Sequence, residues 1–572
     1  MILRRLSLAF AVFSLAFAPA AQAQQKQLLE YPSIHSPAVG TKGMVVSQNE
    51  MASHVGAEIL RKGGNAMDAA VAVAFALAVT LPRAGNIGGD GFMTIYDART
   101  GQVSVIDFRS MAPKASKLAL FVDAKGKELP EAGRGYLAPA VPGTVAGLHL
   151  AHNGHGRLPW ADVLAPAIAL AADGVALTPD EAFVFSWGKQ RLSTSEAARR
   201  TFYKPDGSLY AAGEILRQPE LAWTLREIAK HGADAFYKGE IARRIAADMK
   251  KHGGLITLAD LAAYRPVERR PLIGSYRGHR IYTTPPASAG GATLINMLNI
   301  LEHFELKPLG AGSAASLHLM AETMKLGYAD RYRFLGDTDF VRPPLAGFTS
   351  KAYAAERARL IDPARAQPAK LLGAGDPWRF ESPQTTHYSV ADAEGNIVST
   401  TYTLGSDFGS GVMIEGTGIL LNNQMNNFSH EQAYEAAQKG EPAPLNAMQP
   451  GKRMLSTMMP TIVFKDDKPW LVTGTPGGST IIDTMLQLIV NAIDFGLNVD
   501  EATHQPRIYQ GTTENLRVEP NFNPDTVALL KAKGHKITSD ETMGSAQSIL
   551  IEDGLYLGAA DPRRPGARAI AP

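Results

Sequence analysis

Two alternating runs separated by a five-residue turn most constrain the fold of this chain. His387-Tyr388-Ser389-Val390-Ala391 and Ile397 to Leu404 each alternate with period two, and Asp392-Ala393-Glu394-Gly395-Asn396 lies between them. Period-two alternation marks strands, and the Asp, Gly and Asn between them carry turn chemistry. The segment predicts an antiparallel hairpin in which Ala391 pairs with Ile397 and Thr385 therefore faces Thr403. Directly opposed residues have Cβ atoms roughly 4.5–5.5 Å apart, but a one-residue slip would undo that pairing. Just upstream, residues 363–384 lose all periodicity to Pro, Ala, Gly and Asp, which reads as an exposed linker.

Elsewhere helical and strand patterns mix. Ala69 to Leu81 is an Ala-rich apolar run, too short for a membrane span and better read as a core helix capped by Asn65 and stopped by Pro82. Gly85 to Gly91 forms a glycine-rich loop before the strand-like Phe92–Tyr96. Leu158 to Asp260 and Leu317 to Phe334 read as helical. Met458–Phe464 and Trp470–Gly474 read as strands, Ser479–Phe495 as an apolar helix, and Gln547–Leu557 as a strand pair around Asp553-Gly554. Such a mixture, with a late β-rich segment, argues for a layered α/β or α+β fold.

Composition removes several function classes. The net charge of +2 over 572 residues gives no reason to expect a nucleic-acid partner. Without cysteine there are no disulfides, no thiolate catalysis and no Cys-ligated metal. Fourteen histidines, read as having no close pair at ligand spacing, argue against a structural metal site, and Tyr434 stands where a zincin helix beginning at His430-Glu431 needs its second histidine. At the N-terminus, Arg4-Arg5, the apolar run Leu6–Phe17 and Ala21-Gln22-Ala23 form a secretory signal peptide, residues 1–23. The mature protein is expected to be periplasmic or secreted, with no membrane span after signal removal.

The chemistry-bearing motifs are colinear. They are Gly85-Asn86-Ile87-Gly88-Gly89, Asp107-Phe108-Arg109, Val141 to Gly147, Lys325 to Arg331, Thr385 to Val390, Leu420 to Met425, Leu455-Ser456-Thr457-Met458 and Thr475-Pro476-Gly477-Gly478-Ser479. Together they resemble the gamma-glutamyltransferase (glutathione hydrolase) family across essentially the whole mature chain. The resemblance implies an α+β fold, the four-layer αββα sandwich of N-terminal nucleophile hydrolases. It implies a precursor that cuts itself between Gln384 and Thr385 into a large chain, 24–384, and a small chain, 385–572, which stay together as a heterodimer in one intertwined domain. Thr385 would then be nucleophile and, through its freed α-amine, base. Thr403 would orient its hydroxyl, and the Gly477 and Gly478 amides would form the oxyanion hole. The alternative is that both threonines are ordinary strand residues and Pro-Gly-Gly an ordinary turn.

For substrate, the resemblance assigns Arg109 to the glutamyl α-carboxylate, with Gln424, Asn427, Ser456 and Thr457 completing the pocket. Three positions depart from the family pattern: Ser110 replaces Glu, Gly405 replaces Asn, and Asn427 replaces the Asp that pairs with the α-ammonium. The function so implied is cleavage of γ-glutamyl amides such as glutathione, passing the acyl group to water or to an amino-acid or peptide acceptor, without cofactor or metal. The alternative substrate is a glutaryl-type acyl group lacking the ammonium. An alternative of another class is a non-catalytic periplasmic binding protein. Asp90 in the glycine-rich loop is a candidate to compensate for the lost aspartate, and residues 429–454 are a candidate lid.

Overall fold

The computed structural model describes residues 33–372, 384–539 and 541–572. The expected signal segment 1–23 lies outside the described residues, as do residues 373–383 of the expected linker.

The hairpin forms and sits in the middle of a seven-stranded sheet. Its strands are Gln384–Asp392 and Ile397–Gly405, and the Asp392 carboxylate closes the turn by accepting from the Asn396 amide and side chain. Gly43–Ser47 flanks the first strand and Asp90–Asp97 the second, with Arg568–Ile570, Gln102–Asp107 and Val267–Arg269 completing the sheet. Every pairing in it is antiparallel.

A second seven-stranded sheet lies against the first. In spatial order it contains Ala38–Gly40, Leu555–Ala560, Gln547–Glu552, Lys468–Thr473, Thr461–Lys465, His279–Thr283 and Leu272–Tyr276. Met44, Val46, Ala391 and Ile397 of one sheet meet Ile462, Phe464, Val472, Ile549 and Tyr556 of the other in a common apolar layer. The expected strands thus shift by a few residues at their ends but keep their identity.

Helices cover both outer faces. The apolar run becomes the helix Ala66–Thr80, every residue of which is buried. It starts three residues earlier than the apolar run because Asn65 and Asp68 form a capping box at Ala66. It packs on the hairpin, where the Tyr402 hydroxyl donates to the Ala74 carbonyl at 2.9 Å. The helical region beyond Leu158 gathers around it. On the far side Gly290–Leu301 and Thr480–Ile493 pack together, with Ala314–Phe334 against the first of them. The result is helix, sheet, sheet, helix: the four-layer αββα sandwich. Among the described residues no helix is long and apolar enough to cross a membrane.

The start of the expected linker differs from expectation. Residues 363–372 are largely at the surface, but their backbone is tethered. Lys533 Nζ donates to the Pro363 carbonyl, Ala366 N to the Lys533 carbonyl, Gln367 N to Glu322, and Lys325 Nζ to the Gln367 carbonyl. Within the described part of this stretch regular structure is limited to one 3₁₀ turn at Ala369–Leu371 and to Gln384, which opens the hairpin strand; low periodicity carried no information on side chains reaching in from elsewhere.

Candidate active site

The hairpin register holds from Ala391↔Ile397 through Thr386↔Tyr402 and then shifts, so that Gln384 pairs with Gly405. A β-bulge therefore sets two residues, Thr403 and Leu404, opposite the backbone of Thr385. The expected Thr385–Thr403 juxtaposition survives, but as a bulge rather than a regular rung. The Thr403 hydroxyl accepts from the Gly405 amide at 2.8 Å, which fixes its orientation. Across the next strand boundary Thr403 pairs with Asp90, so these three residues cross the sheet as neighbours.

Asp90 begins its strand at the end of the glycine-rich loop and is fully buried. Arg109, just past the next strand, is 1% exposed and donates from one terminal nitrogen to Asp90 Oδ1 at 2.6 Å. Its Nε and other terminal nitrogen donate to the Met454 and Leu455 carbonyls at 3.2 and 3.1 Å. A guanidinium has five N–H donors, so these three leave two for a ligand. Asp90 also accepts from Ser110 N at 3.0 Å and from Gln424 Nε2 at 3.3 Å. Burial pushes the Asp90 carboxyl above its usual range, opposed by the adjacent Arg109 charge and the Ser110 donor. Asp90 therefore braces Arg109 and does not line the cavity.

The bracing continues as a closed ring. Asn427 Nδ2 donates to Gln424 Oε1 at 2.6 Å, and Asn446 Nδ2 to the Asn427 carbonyl at 2.7 Å. Leu455 N donates to Asn446 Oδ1 at 2.9 Å, and the Leu455 carbonyl returns to Arg109. Because Asp90 accepts from the Gln424 amide nitrogen, Gln424 turns its oxygen to Asn427, which leaves Asn427 Oδ1 as its remaining acceptor. Asn446 and Asp90 are ring members that sequence reasoning did not place, since only tertiary contacts reveal them. Asn446 belongs to the 429–454 segment, which is thereby tied to the wall of the site.

Opposite this ring is the Gly477-Gly478 turn, with φ of 132° and 57°, in the region that favours glycine. Thr480 N and its hydroxyl donate to the Gly477 carbonyl, and the Thr457 hydroxyl donates to the Gly478 carbonyl at 2.9 Å. The two carbonyls are thus tied back, whereas among the described residues neither glycine amide has an acceptor. The Ser456 hydroxyl accepts from Met458 N at 3.0 Å, which orients the segment between.

Arg109, Thr403, Gly405, Gln424, Asn427, Ser456, Thr457 and Gly478 line one cavity, with Leu455 and Met458. Gly477 is one residue away in the same turn. At about 30 Å³ the cavity has room for little more than a water molecule in the uncut chain. Two larger surface grooves, about 470 and 710 Å³, lie around the hairpin's far end near Tyr96 and Glu394, and contain none of these residues.

Gly405 is required where it stands. Its φ is 100°, and an added Cβ would sit 2.1 Å from Asn423 Oδ1. His387, two residues beyond Thr385, is a packing histidine: it is fully buried, with ring nitrogens on Thr401 Oγ1 and Ser389 Oγ at 2.8 and 3.1 Å. Burial pulls its pKa down to about 3, so it stays neutral.

A family model described as gamma-glutamyltranspeptidase matches residues 52–571. The chain belongs to the gamma-glutamyltranspeptidase family. Its relatives include the glutathione hydrolase proenzyme of Escherichia coli K12, 47% identical over 558 residues, covering 96% of this chain and 95% of the relative. Another, from Pseudomonas sp. strain A14, carries the same name and is 41% identical, with 94% and 95% covered. Among solved structures, cephalosporin acylase from Bacillus halodurans superposes with a TM-score of 0.85 at 31% identity, covering 95% of this chain and 98% of that one. Membership of the gamma-glutamyltranspeptidase family makes this an enzyme of the N-terminal nucleophile hydrolase type, and the non-catalytic alternative falls.

Proposed function

We propose that the chain is a self-processing γ-glutamyl amide hydrolase and transferase, cut between Gln384 and Thr385, with glutathione-like substrates. The observation that carries this is the convergence of Arg109, Gln424, Asn427, Ser456, Thr457, Thr403 and Gly478 on one cavity beside the backbone of Thr385. The proenzyme names of its relatives support self-processing. The small cavity fits a precursor whose site opens only once the new C-terminus at Gln384 moves away from Thr385.

In the mature enzyme Thr385 attacks the γ-amide carbonyl. Its hydroxyl proton passes to its own α-amine, whose ordinary pKa of about 7.7–8.0 suits a base at neutral pH. The oxyanion forms against the Gly477 and Gly478 amides, which have no other acceptor among the described residues. That same proton passes to the leaving amine, which departs. Water or an acceptor amine, an amino acid or peptide, then attacks the threonyl ester and releases the acyl group. Arg109, with its two remaining N–H donors, clamps the α-carboxylate, and Asn427 Oδ1 accepts from the α-ammonium. The two resulting chains, 24–384 and 385–572, remain interleaved in a heterodimer, exported beyond the inner membrane by the signal segment.

One observation favours a second reading. A neutral Asn427, held by Gln424, stands where the family pattern has an aspartate, so a glutaryl-type acyl group without ammonium also suits the pocket. Comparing hydrolysis of γ-glutamyl and glutaryl anilides by the mature protein decides between them. Thr385→Ala tests both at once: two fragments on a denaturing gel, or activity from that variant, would overturn the assignment of nucleophile and cut site.

A further inference from the structure

A second constellation lies away from the active site, where the first described residues meet the segment that follows the helix Thr480–Ile493. The short helix Val499–His504 places Asp500 and His504 one turn apart on one face. Its cap, Asn498, accepts from the Asp500 and Glu501 amides, and its Nδ2 donates to the His35 carbonyl at 3.1 Å. The cap thus fixes His35 beside the helix. His35 Nδ1 lies 3.8 Å from Asp500 Oδ2, and His504 Nδ1 lies 3.5 Å from Asp500 Oδ1. The two imidazole rings are 4.5 Å apart, and one ligand atom from each of the three residues falls within 4.8 Å of the others.

We propose that His35, Asp500 and His504 bind one transition-metal cation of the Zn²⁺ class. Zinc at about 2.0–2.2 Å from N and O ligands holds tetrahedral neighbours about 3.3–3.6 Å apart; the histidine–carboxylate spacings here are 3.5 and 3.8 Å and the three ligand atoms lie within 4.8 Å, so small side-chain rotations bring them onto one ion. Two imidazoles and one carboxylate form a borderline-soft donor set that favours zinc over calcium or magnesium, which prefer all-oxygen sites. The side chains are 15–32% exposed, which leaves an entry path and a fourth position for water. Loading exchanges one existing contact, His504 Nδ1 to the Asp500 carbonyl at 2.8 Å, for the metal bond. Histidine spacing in the sequence does not reveal this set. The actual set is an Asp–His pair four apart, completed by a histidine from the other end of the chain.

A buried cluster of similar composition shows the contrast. His318, Glu322 and His535 also lie within ligand distance of one another. There, however, Lys325 Nζ sits 2.6 Å from Glu322 Oε1, Gln367 N fills the other oxygen, and the histidines bond each other at 2.8 Å. A lysine already occupies the place of the cation. Asp500 has no such competitor: among the described residues its ion-pair partners are the two histidines. If the proposed cleavage occurs, a metal here staples the beginning of the large chain to the small chain.

The test is calorimetric titration of the untagged, chelator-stripped mature protein with zinc chloride, with calcium chloride as control, alongside H35A, H504A and Asp500→Asn. We expect one zinc per chain, no comparable calcium binding, and affinity reduced roughly tenfold or more in each variant, since losing even an outer-shell partner typically costs that much. Zinc should also raise the thermal midpoint of the wild type and not of the variants. Absence of saturable zinc binding, equal calcium binding, or zinc affinity unchanged in all three variants would overturn the site.

Discussion

The Asp90 carboxylate lies 2.6 Å from the Arg109 guanidinium, and both side chains are buried to 1% exposure or less. The pair joins the glycine-rich loop to the residue assigned to the substrate carboxylate. Through Gln424 it also sets which way the Asn427 amide faces.

Removing the charge at Asp90 leaves Arg109 buried without its counter-charge. Breaking one partner of a buried pair typically costs about 3–5 kcal/mol. We expect Asp90→Asn to lower urea-unfolding stability by that order and to raise KM for γ-glutamyl anilides more than it lowers kcat. An unchanged KM in a stably folded variant would show that Asp90 does not position Arg109.

The two pocket departures should respond differently to reversion. Asn427→Asp supplies a charged partner for an ammonium in a position that already lines the cavity. We expect its kcat/KM ratio for γ-glutamyl over glutaryl anilide to rise at least about tenfold, the equivalent of 1.4 kcal/mol. Gly405→Asn has no such room, because its Cβ would meet Asn423 Oδ1 at 2.1 Å on a backbone with φ of 100°. That variant should lose roughly 1–3 kcal/mol of stability with no gain in selectivity, read by thermal unfolding and the same pair of substrates.

At Gly477 a methyl group would come within 2.4 Å of Thr480 Oγ1 on a backbone with φ of 132°. The turn must then rotate, which re-aims the amides assigned to the oxyanion. Loss of one such donor costs about 10²–10³ in kcat. Gly477→Ala should show a fall of that order with KM little changed; near-wild-type kcat would remove this turn from the oxyanion hole.

His387 makes stability depend on pH. Its folded pKa is held near 3 by burial, below the unfolded value of 6.5. The unfolded chain therefore binds the extra proton, and stability rises with pH between those values. It is fully present above about 6.5 and lost as pH falls toward 3. From pH 7 to pH 5 this group alone should remove about 2 kcal/mol, measured as a lower urea midpoint. A midpoint that does not fall over that range would mean that His387 is charged in the fold.

The hairpin, the helix capped by Asn65 and the order of the later strands were all readable from the sequence. Each rests on local physics: period-two alternation, a cap three residues from its acidic partner, glycines where a backbone turns tightly. Family resemblance then named Thr385, Arg109 and the Gly477-Gly478 turn. The bulge that sets both Thr403 and Leu404 against Thr385 was not readable, since register depends on what each strand meets across the sheet. Nor was the tethering of residues 363–372, because Glu322, Lys325 and Lys533 come from distant parts of the chain.

By itself the sequence determined which segments become strands and helices and which residue types are available for amide chemistry. Only the tertiary structure decided that Asp90 braces Arg109 rather than meeting an ammonium, that Asn423 fills the space beside Gly405, and that His35 reaches Asp500 and His504. The physical reason is common to all three. A buried charge, a close approach and a ligand set each need partners from separated segments, and only the packed sheets and their covering helices bring those segments together.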